Sequence, residues 1–190
     1  MDTRQNITGL ILAGGAGRRV GGRDKGLLPW RDTPLVERVI QRFRPQVGRL
    51  LISCNRNRDY YATLDATVVT DSRRDYQGPL AGIESAIPEV HTEFLVVVPC
   101  DNPLLPLDLA RRLLTDINRG DAPEVDVCFA HDGEREQYLC AVIRSTALAS
   151  LPAFLDQRHR AVRQWYTLQQ CRSVDFSDRA ECFTNLNRLQ

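Results

Sequence analysis

Lysine is almost absent from this chain, which contains a single lysine, Lys25, although lysine and arginine together number 25 among 190 residues. Aspartate and glutamate number 24, so the formal net charge is only +1. A balance this close to neutral argues against a nucleic-acid-binding scaffold, which needs an excess of positive charge. Because it is the sole lysine and lies in a glycine-rich stretch, Lys25 is a candidate for a functional role.

Paired cysteines and long apolar runs are also missing. Six cysteines are present, but none belongs to a Cys-x-x-Cys pair or to the Cys/His spacing of a zinc site. Isolated cysteines are usually buried as small apolar residues, and they indicate a reducing compartment. No apolar segment approaches the ~20 residues that span a bilayer, and the N-terminus, Met1–Asn6, is polar. We therefore expect a cytoplasmic protein that binds neither membranes nor nucleic acid.

A glycine-rich stretch follows the first apolar run. Leu10–Ala13 is typical of a buried strand, and five glycines follow within Gly14–Gly22, before Lys25. Glycines let backbone N–H groups approach an anion, and the arginines and lysine nearby supply positive charge. The stretch is neither a dinucleotide fingerprint nor a P-loop, because Val20 replaces the third glycine of the first and Arg23 the lysine of the second. It predicts a phosphate site of another kind, the alternative being an ordinary glycine turn.

Apolar strands alternate with loops and helices through the first two thirds of the chain. The expected strands are Leu10–Ala13, Leu50–Cys54, Thr67–Thr70 and Phe94–Val98. The expected helices run from Pro34 to Phe43, from Gly78 to Pro88 and from about Leu107 to Asn118. This alternation predicts an α/β fold with a mainly parallel sheet sandwiched by helices. Weaker strand signals follow at Val125–Ala130, Tyr138–Ile143 and Ser173–Phe176, and we expect one domain over residues 1–190.

Polar residues stand where three of these strands end. Ligands of such sheets bind at the carboxyl ends of the strands, which is where Asn55, Asp71 and Asp101 fall. A carboxylate on a rigid strand suits Mg²⁺ that also binds phosphate oxygens. The alternatives are a helix cap for Asp101 and a turn residue that binds its own backbone for Asp71. Since no Ser–His or Cys–His pairing suggests itself, we expect direct phosphoryl or nucleotidyl transfer without a covalent enzyme intermediate.

Several motifs in the same order resemble the molybdenum cofactor guanylyltransferase family, the MobA type of nucleotidyltransferase. Over about the first 110 residues they are Leu12-Ala13-Gly14-Gly15, Gly17-Arg18-Arg19-x-Gly21-Gly22-x-Asp24-Lys25, Asp71-Ser72, Gly78-Pro79-Leu80-Ala81-Gly82 and Pro99-Cys100-Asp101-x-Pro103. The resemblance implies a Rossmann-like nucleotidyltransferase fold, with a nucleotide-binding half at about 1–110 and an acceptor-binding half at about 111–190.

The reaction that the resemblance implies is the transfer of GMP from GTP to the terminal phosphate of molybdopterin (Mo-molybdopterin). Its products are the guanine dinucleotide form of the molybdenum cofactor and pyrophosphate. The family uses Mg²⁺, for which Mn²⁺ can substitute. The implied partners, besides GTP and molybdopterin, are other proteins of molybdenum cofactor biosynthesis or molybdoenzyme chaperones.

The resemblance also implies roles for individual residues. The expected catalytic residues are Lys25, Arg19 and Asp101, and Asp101 is also the expected metal ligand. The expected nucleotide-binding residues are Leu12, Ala13, Gly14, Gly15, Lys25, Asn55, Asp71 and Asp101. The expected acceptor-binding residues are Gly78, Pro79, Leu80, Gly82, Asn185 and Asn187, of which the two asparagines also fit an ordinary polar turn.

Two departures from the family pattern bear on these roles. Ser53 stands where the family has a nucleotide-contacting asparagine, for which we expect Asn55 to compensate, and Glu136-Gln137-Tyr138 differs from the family in a region expected near the pterin. The Gly14-Gly15 pair resembles the guanine-using rather than the cytosine-using branch. The alternatives are a cytidylyltransferase on the same pterin, a sugar-phosphate nucleotidyltransferase, and a non-catalytic GTP or pterin carrier that serves a molybdoenzyme chaperone.

Overall fold

Seven strands form one sheet in the computed structural model, which describes residues 3–15, 21–73, 77–120 and 124–184. The strands of the described residues are β1 (Ile7–Leu12), β2 (Pro29–Trp30), β3 (Thr33–Pro34), β4 (Arg49–Ser53), β5 (Thr67–Val69), β6 (Phe94–Pro99), β7 (Val127–His131), β8 (Glu136–Arg144) and β9 (Cys171–Asp175). The sheet has the order β5-β4-β1-β6-β8-β7-β9, and β2 pairs with β3 separately.

Helices connect these strands and cover the sheet. The α-helices of the described residues are α1 (Leu35–Phe43), α2 (Arg58–Tyr61), α3 (Pro79–Ala86), α4 (Leu109–Ile117), α5 (Leu151–Asp156) and α6 (Val162–Tyr166). Short 3₁₀ turns lie next to several of these helices, and a further one, Lys25–Leu27, precedes β2. None of the helices in the described ranges combines the length and the apolar character needed to cross a membrane.

The central strands are buried on both faces. Alternate residues of β1 belong to two separate apolar clusters: Ile7 and Ile11 to one, and Leu10 to the other. Helices α1 and α4 cover the first cluster, whereas α3, α5 and α6 cover the second. The unbroken apolar runs in the sequence therefore reflect two covered faces, as parallel sheets require.

The parallel part of the sheet places strand ends side by side. Strand β1 lies between β4 and β6 and is parallel to both, with Leu12 opposite Ser53 on one side and Pro99 on the other. Strand β5 continues this parallel arrangement next to β4. Residues that follow β1, β4, β5 and β6 thus leave the sheet at the same edge. The predicted α/β fold with a mainly parallel sheet is confirmed.

The second half of the chain extends the same sheet in a mixed direction. Strand β8 is antiparallel to both β6 and β7, and β7 is parallel to β9. The strands expected near Val125–Ala130 and Tyr138–Ile143 are present as β7 and β8, and they pair with each other, with a register shift between Phe129 and Ala130. Because β8 pairs with β6, it also brings residues of the second half next to the end of β6.

Candidate functional site

A cavity of about 430 Å³ opens at the shared edge of the parallel strands. The predicted site residues that line it are Leu12, Ala13, Gly14, Gly15, Lys25, Asp71, Gly78, Pro79, Gly82 and Asp101. They come from the ends of β1, β5 and β6, from the glycine-rich loop and from the first turn of α3. Position along the strands was therefore a sound guide to which residues meet.

Lys25 and Asp101 contact each other at the wall of the cavity. The Lys25 ammonium donates a hydrogen bond to Oδ2 of Asp101, and their side chains are 28% and 13% exposed, respectively. Lys25 begins a 3₁₀ turn that Asp24 caps by accepting a hydrogen bond from the Gly26 N–H at 3.1 Å. The site thus presents one cation and one anion side by side.

The alternative role of Asp101 as a helix cap is wrong. The next helix, α4, begins at Leu109 and has Asp108 at its N-cap position. Asp101 instead follows β6 directly after Pro99 and Cys100, on the cavity wall. Its carboxylate is therefore available to the chemistry of the cavity.

Asp71 is held by two side chains from β4 and the turn after it. Asn55 donates to Oδ2 of Asp71 at 2.7 Å and accepts from the Asp71 backbone N–H at 3.0 Å, and Ser53 donates to Oδ1 at 3.4 Å. Burial raises the pKa of the Asp71 carboxyl, and the hydrogen bonds from Asn55 and Ser53 offset part of that effect. The partners of Asp71 are thus neighbouring side chains, and Asn55 lies behind the cavity wall rather than on it.

Two glycines allow close packing in and behind the cavity wall. A Cβ atom on Gly82 would come within 2.7 Å of Ser53 Oγ and 2.9 Å of Leu12 Cδ2, and one on Gly14 would come within 2.9 Å of Asn55 Nδ2. A larger residue at position 82 would therefore displace residues that line the cavity, and one at position 14 would displace Asn55 behind it. By contrast, the Leu80 side chain does not line the cavity, because it is fully buried in the apolar cluster beneath α3. Leu80 is therefore not among the expected residues that meet at the cavity wall.

Three expected site residues, Arg19, Asn185 and Asn187, lie outside the described residues. Four further residues line the cavity that the motifs did not single out as binding residues: Ser53, Pro99, Cys100 and Leu139. The signal for Pro99 and Cys100 was their place immediately before Asp101. Leu139 had no such signal, because it reaches the site only through the antiparallel pairing of β8 with β6.

The donor set fits a metal ion that arrives with phosphate. No group of three or more His, Cys, Asp and Glu side chains within the described ranges has the geometry of a metal site. Mg²⁺, however, is commonly held by one or two carboxylates together with substrate phosphates and waters. Asp101 on the wall of a cavity that also contains the glycine-rich loop meets that requirement. The residues therefore suit Mg²⁺ bound with a nucleotide, and not a resident metal centre.

Cys100 is not a nucleophile in this site. Its side chain is buried, and that burial raises the pKa of the thiol far above the ordinary value. Burial and this raised pKa both disfavour the thiolate, which is the nucleophilic form of cysteine.

Comparison with known proteins gives consistent matches. Residues 9–173 match the MobA-like NTP transferase domain family. A "Molybdenum cofactor guanylyltransferase" of Shewanella loihica is 42% identical over 181 residues, which cover 95% of this chain and 91% of the relative. A crystal structure of "Molybdopterin-guanine dinucleotide biosynthesis protein A" from Archaeoglobus fulgidus superposes with a TM-score of 0.76 at 19% identity, covering 95% of this chain and 92% of that one. The Rv0371c complex with manganese from Mycobacterium tuberculosis has a TM-score of 0.65 at 18% identity, with 90% and 88% covered.

Proposed function

Because the chain belongs to the family of MobA-like NTP transferases, we propose that it transfers GMP from GTP to molybdopterin, yielding the guanine dinucleotide form of the molybdenum cofactor and pyrophosphate. The structural observation that supports this is the contact between Lys25 and Asp101 at the wall of the cavity that the glycine-rich loop also lines. A triphosphate needs backbone N–H groups, a cation and a metal ligand within one space, and these residues supply all three kinds of group.

The reaction is a displacement at the α-phosphorus of GTP. An oxygen of the terminal phosphate of molybdopterin attacks the α-phosphorus. The bond between the α-phosphorus and the oxygen that bridges the α- and β-phosphates breaks. Pyrophosphate leaves with the electron pair of that bond. The protein forms no covalent bond, so its work is to position both phosphates and to neutralise charge.

Lys25 provides the positive charge for the phosphates. A cation about 4 Å from a phosphate oxygen contributes roughly 1 kcal/mol in water and about 4 kcal/mol at an effective dielectric constant near 20. The Lys25 side chain is 28% exposed, so its effect depends on how far the bound substrates exclude water from the cavity. Arg19 acts with Lys25 on the phosphates in the same proposal.

Asp101 would hold a divalent ion, Mg²⁺ or Mn²⁺. The M. tuberculosis structure of the same fold is a complex with manganese, which supports the use of a divalent ion here. Such an ion, when bound, supplies further positive charge to the phosphates. The Asp101 carboxylate would be the ligand of this ion, and the Lys25 ammonium that now contacts its Oδ2 would be close enough to reach a phosphate bound beside it.

The nucleotide would lie against the end of β1. Leu12, Ala13, Gly14 and Gly15 line the cavity there, and Gly82 has no side chain that would displace Ser53 or Leu12. Asp71 lines the same space, and each of its carboxylate oxygens accepts one hydrogen bond, from Ser53 or from Asn55, so each can accept another from the nucleotide. Asn55 therefore acts on the nucleotide through Asp71, which compensates for the serine at position 53.

The molybdopterin phosphate would approach from the first turn of α3. Gly78, Pro79 and Gly82 line the cavity on that side, with Leu80 supporting them from the core. Asn185 and Asn187 complete the acceptor site in this proposal. The remaining partners would be proteins that deliver molybdopterin or receive the product, and the free cysteines suit the reducing cytoplasm.

Pyrophosphate release tests the function. The purified protein is incubated with Mg²⁺ and GTP, CTP or UTP, with and without molybdopterin. We expect pyrophosphate only from GTP plus molybdopterin, with turnover lost in Asp101→Asn and kept in the control Asp65→Asn, whose side chain is 84% exposed. Release from CTP or UTP instead would indicate one of the other transferases. Binding of GTP without any turnover would indicate a carrier.

A further inference from the structure

A turn after β4 binds both arms of the glycine-rich loop. The first arm is Gly14–Gly15, which follows β1, and the second is Gly21–Asp24, which precedes Lys25. The Arg56 guanidinium donates to the carbonyl oxygen of Gly15 at 3.0 Å, on the first arm. It also donates to the carbonyl of Gly22 and, at 3.3 Å, to that of Arg23, on the second arm. One half-buried side chain therefore spans the loop from its beginning to its end.

The two neighbours of Arg56 bind the same loop. Asn55 donates to the Gly14 carbonyl at 3.1 Å, and Asn57 donates to Oδ2 of Asp24 at 2.9 Å. Asn57 has a φ of 51°, in the left-handed region that asparagine tolerates better than most residues. We call Asn55-Arg56-Asn57 the loop clamp, because its three consecutive side chains all hold the glycine-rich loop.

Asp24 connects the loop clamp to the backbone on either side of Lys25. Asp24 is 9% exposed, and its carboxylate accepts hydrogen bonds from the hydroxyl of Tyr61 at 2.9 Å and from the Gly26 N–H at 3.1 Å, besides the one from Asn57. A Cβ atom on Gly26 would lie 2.4 Å from the Tyr61 hydroxyl, so the backbone approaches the tyrosine closely. The residues on both sides of Lys25 are therefore fixed to the body of the protein.

We propose that the loop clamp fixes the two described ends of the glycine-rich loop, Gly14–Gly15 and Gly21–Asp24, before the nucleotide arrives, so that Arg56 is a positioning residue for triphosphate binding. This proposal rests on the proposed use of GTP. Ordering a glycine-rich backbone costs more conformational entropy than ordering other sequences, and a loop that is ordered only on binding weakens affinity by that cost. The clamp meets part of that cost during folding. Because Arg56 donates only to carbonyl oxygens in these contacts, its bonds take up none of the backbone N–H groups that could bind phosphate.

The test compares ligands with and without phosphates. Affinities of wild type, Arg56→Ala and Arg56→Lys are measured for GTP with Mg²⁺ by calorimetry and for guanosine by competition. We expect Arg56→Ala to weaken GTP binding about tenfold and to leave guanosine binding within twofold. Arg56→Lys should recover only part of the loss, since one ammonium lacks the fork that reaches both arms. The Km for GTP should rise more than kcat falls.

Controls separate the clamp from charge and from folding. Arg58→Ala removes an equal charge from the next turn and leaves the clamp contacts in place, so it should keep GTP affinity within twofold. A second variant, Asn57→Gly, tests the clamp if Arg56→Ala is too unstable to measure. It keeps the left-handed backbone conformation but removes the hydrogen bond to Asp24, so it should also weaken the binding of GTP more than that of guanosine. Equal losses for GTP and guanosine, or no loss, would overturn the proposal. A wild-type protein that binds no GTP would instead refute the proposed function.

Discussion

Lys25 and Asp101 are 76 positions apart in the chain and form an ion pair at the wall of the cavity. The pairing of two neighbouring parallel strands brings the start of the glycine-rich loop next to Asp101, because Leu12 at the end of β1 lies opposite Pro99 at the end of β6. The Cys100 N–H also donates to the Leu12 carbonyl at 3.1 Å, which continues the pairing beyond the last strand residues. The sheet thus fixes the start of the loop relative to the carboxylate, and the bonds of Asp24 to Tyr61 and Asn57 hold the backbone beside Lys25.

Replacing the lysine should affect turnover far more than folding. We expect Lys25→Ala to lower kcat at least about 100-fold, comparable to the loss of one preorganised donor at a transition state. The stability change should stay near 1 kcal/mol or less, because the pair is partly exposed. Pyrophosphate release and urea unfolding measure the two effects. Arg44→Ala, which removes the cation of another exposed pair, is the control and should keep full turnover. Turnover of Lys25→Ala within threefold of wild type would contradict the role given to the lysine.

Asp71→Asn should be more stable than the wild type near neutral pH but should bind GTP more weakly. Burial raises the pKa of Asp71, so the folded protein holds this proton more tightly than the unfolded chain does. The unfolding free energy of the wild type therefore falls as the pH rises from the ordinary value of 3.8 through the raised pKa, and the variant lacks this loss. The variant should gain stability relative to wild type between acidic and neutral pH, as measured by urea unfolding at several pH values.

The same variant should bind GTP about tenfold more weakly, which corresponds to roughly 1.4 kcal/mol and to the loss of a hydrogen bond to a charged acceptor. Asp65→Asn, in an exposed position, should change neither property. A stability difference that stays constant with pH would show that the buried charge of Asp71 is not its source.

Gly82→Ala should narrow the cavity. The new Cβ atom would lie 2.7 Å from Ser53 Oγ, so we expect overpacking to cost about 1–3 kcal/mol, partly offset by about 1 kcal/mol of helix propensity. GTP affinity should fall about tenfold. Gly48→Ala is the matched control, because its Cβ would lie 2.5 Å from the Arg4 carbonyl oxygen, away from the cavity. It should lower the unfolding temperature without changing GTP affinity, whereas equal affinity losses in both variants would count against a local effect.

The cysteines should react slowly with thiol reagents in the folded protein. Five of the six are buried, and Cys171 is exposed but has a thiol whose pKa is raised to about 11, chiefly by partial burial of the sulfur. Reaction requires the thiolate, so a disulfide reagent at pH 7 should modify Cys171 slowly and the others only on unfolding. Cys171→Ser should abolish the reaction in the native state. Rapid modification that inactivates the protein would indicate that Cys100 is accessible.

Much of the fold was predictable because the strands are buried on both faces and stand out as apolar runs. The helix α1 was also well defined, since Val36, Val39 and Phe43 recur at helical spacing and are all fully buried. The pairing of β8 between β6 and β7 was harder to predict, because antiparallel insertion depends on contacts between distant segments rather than on a local pattern.

The site was predictable to the extent that it lies at strand ends. The positions of Lys25 and Asp101 followed from that rule, and their contact agrees with it. The burial of Leu80 could not be predicted from the motif alone. Consecutive residues of a helix point in different directions, so Leu80 is buried in the core while Pro79 and Gly82 line the cavity. The role of Arg56 was also not predicted. Arg56 binds the backbone carbonyl groups of Gly15 and Gly22, and every residue type has such a carbonyl, so no sequence pattern indicates the contact.

A crystal structure with GTP and Mn²⁺ tests the central claim most directly. We predict an anomalous peak in direct contact with an Asp101 carboxylate oxygen, with the Lys25 ammonium moved from Asp101 to a phosphate oxygen and the triphosphate lying along the glycine-rich loop. A triphosphate bound elsewhere, or a metal peak remote from Asp101 with the ion pair to Lys25 intact, would contradict the account.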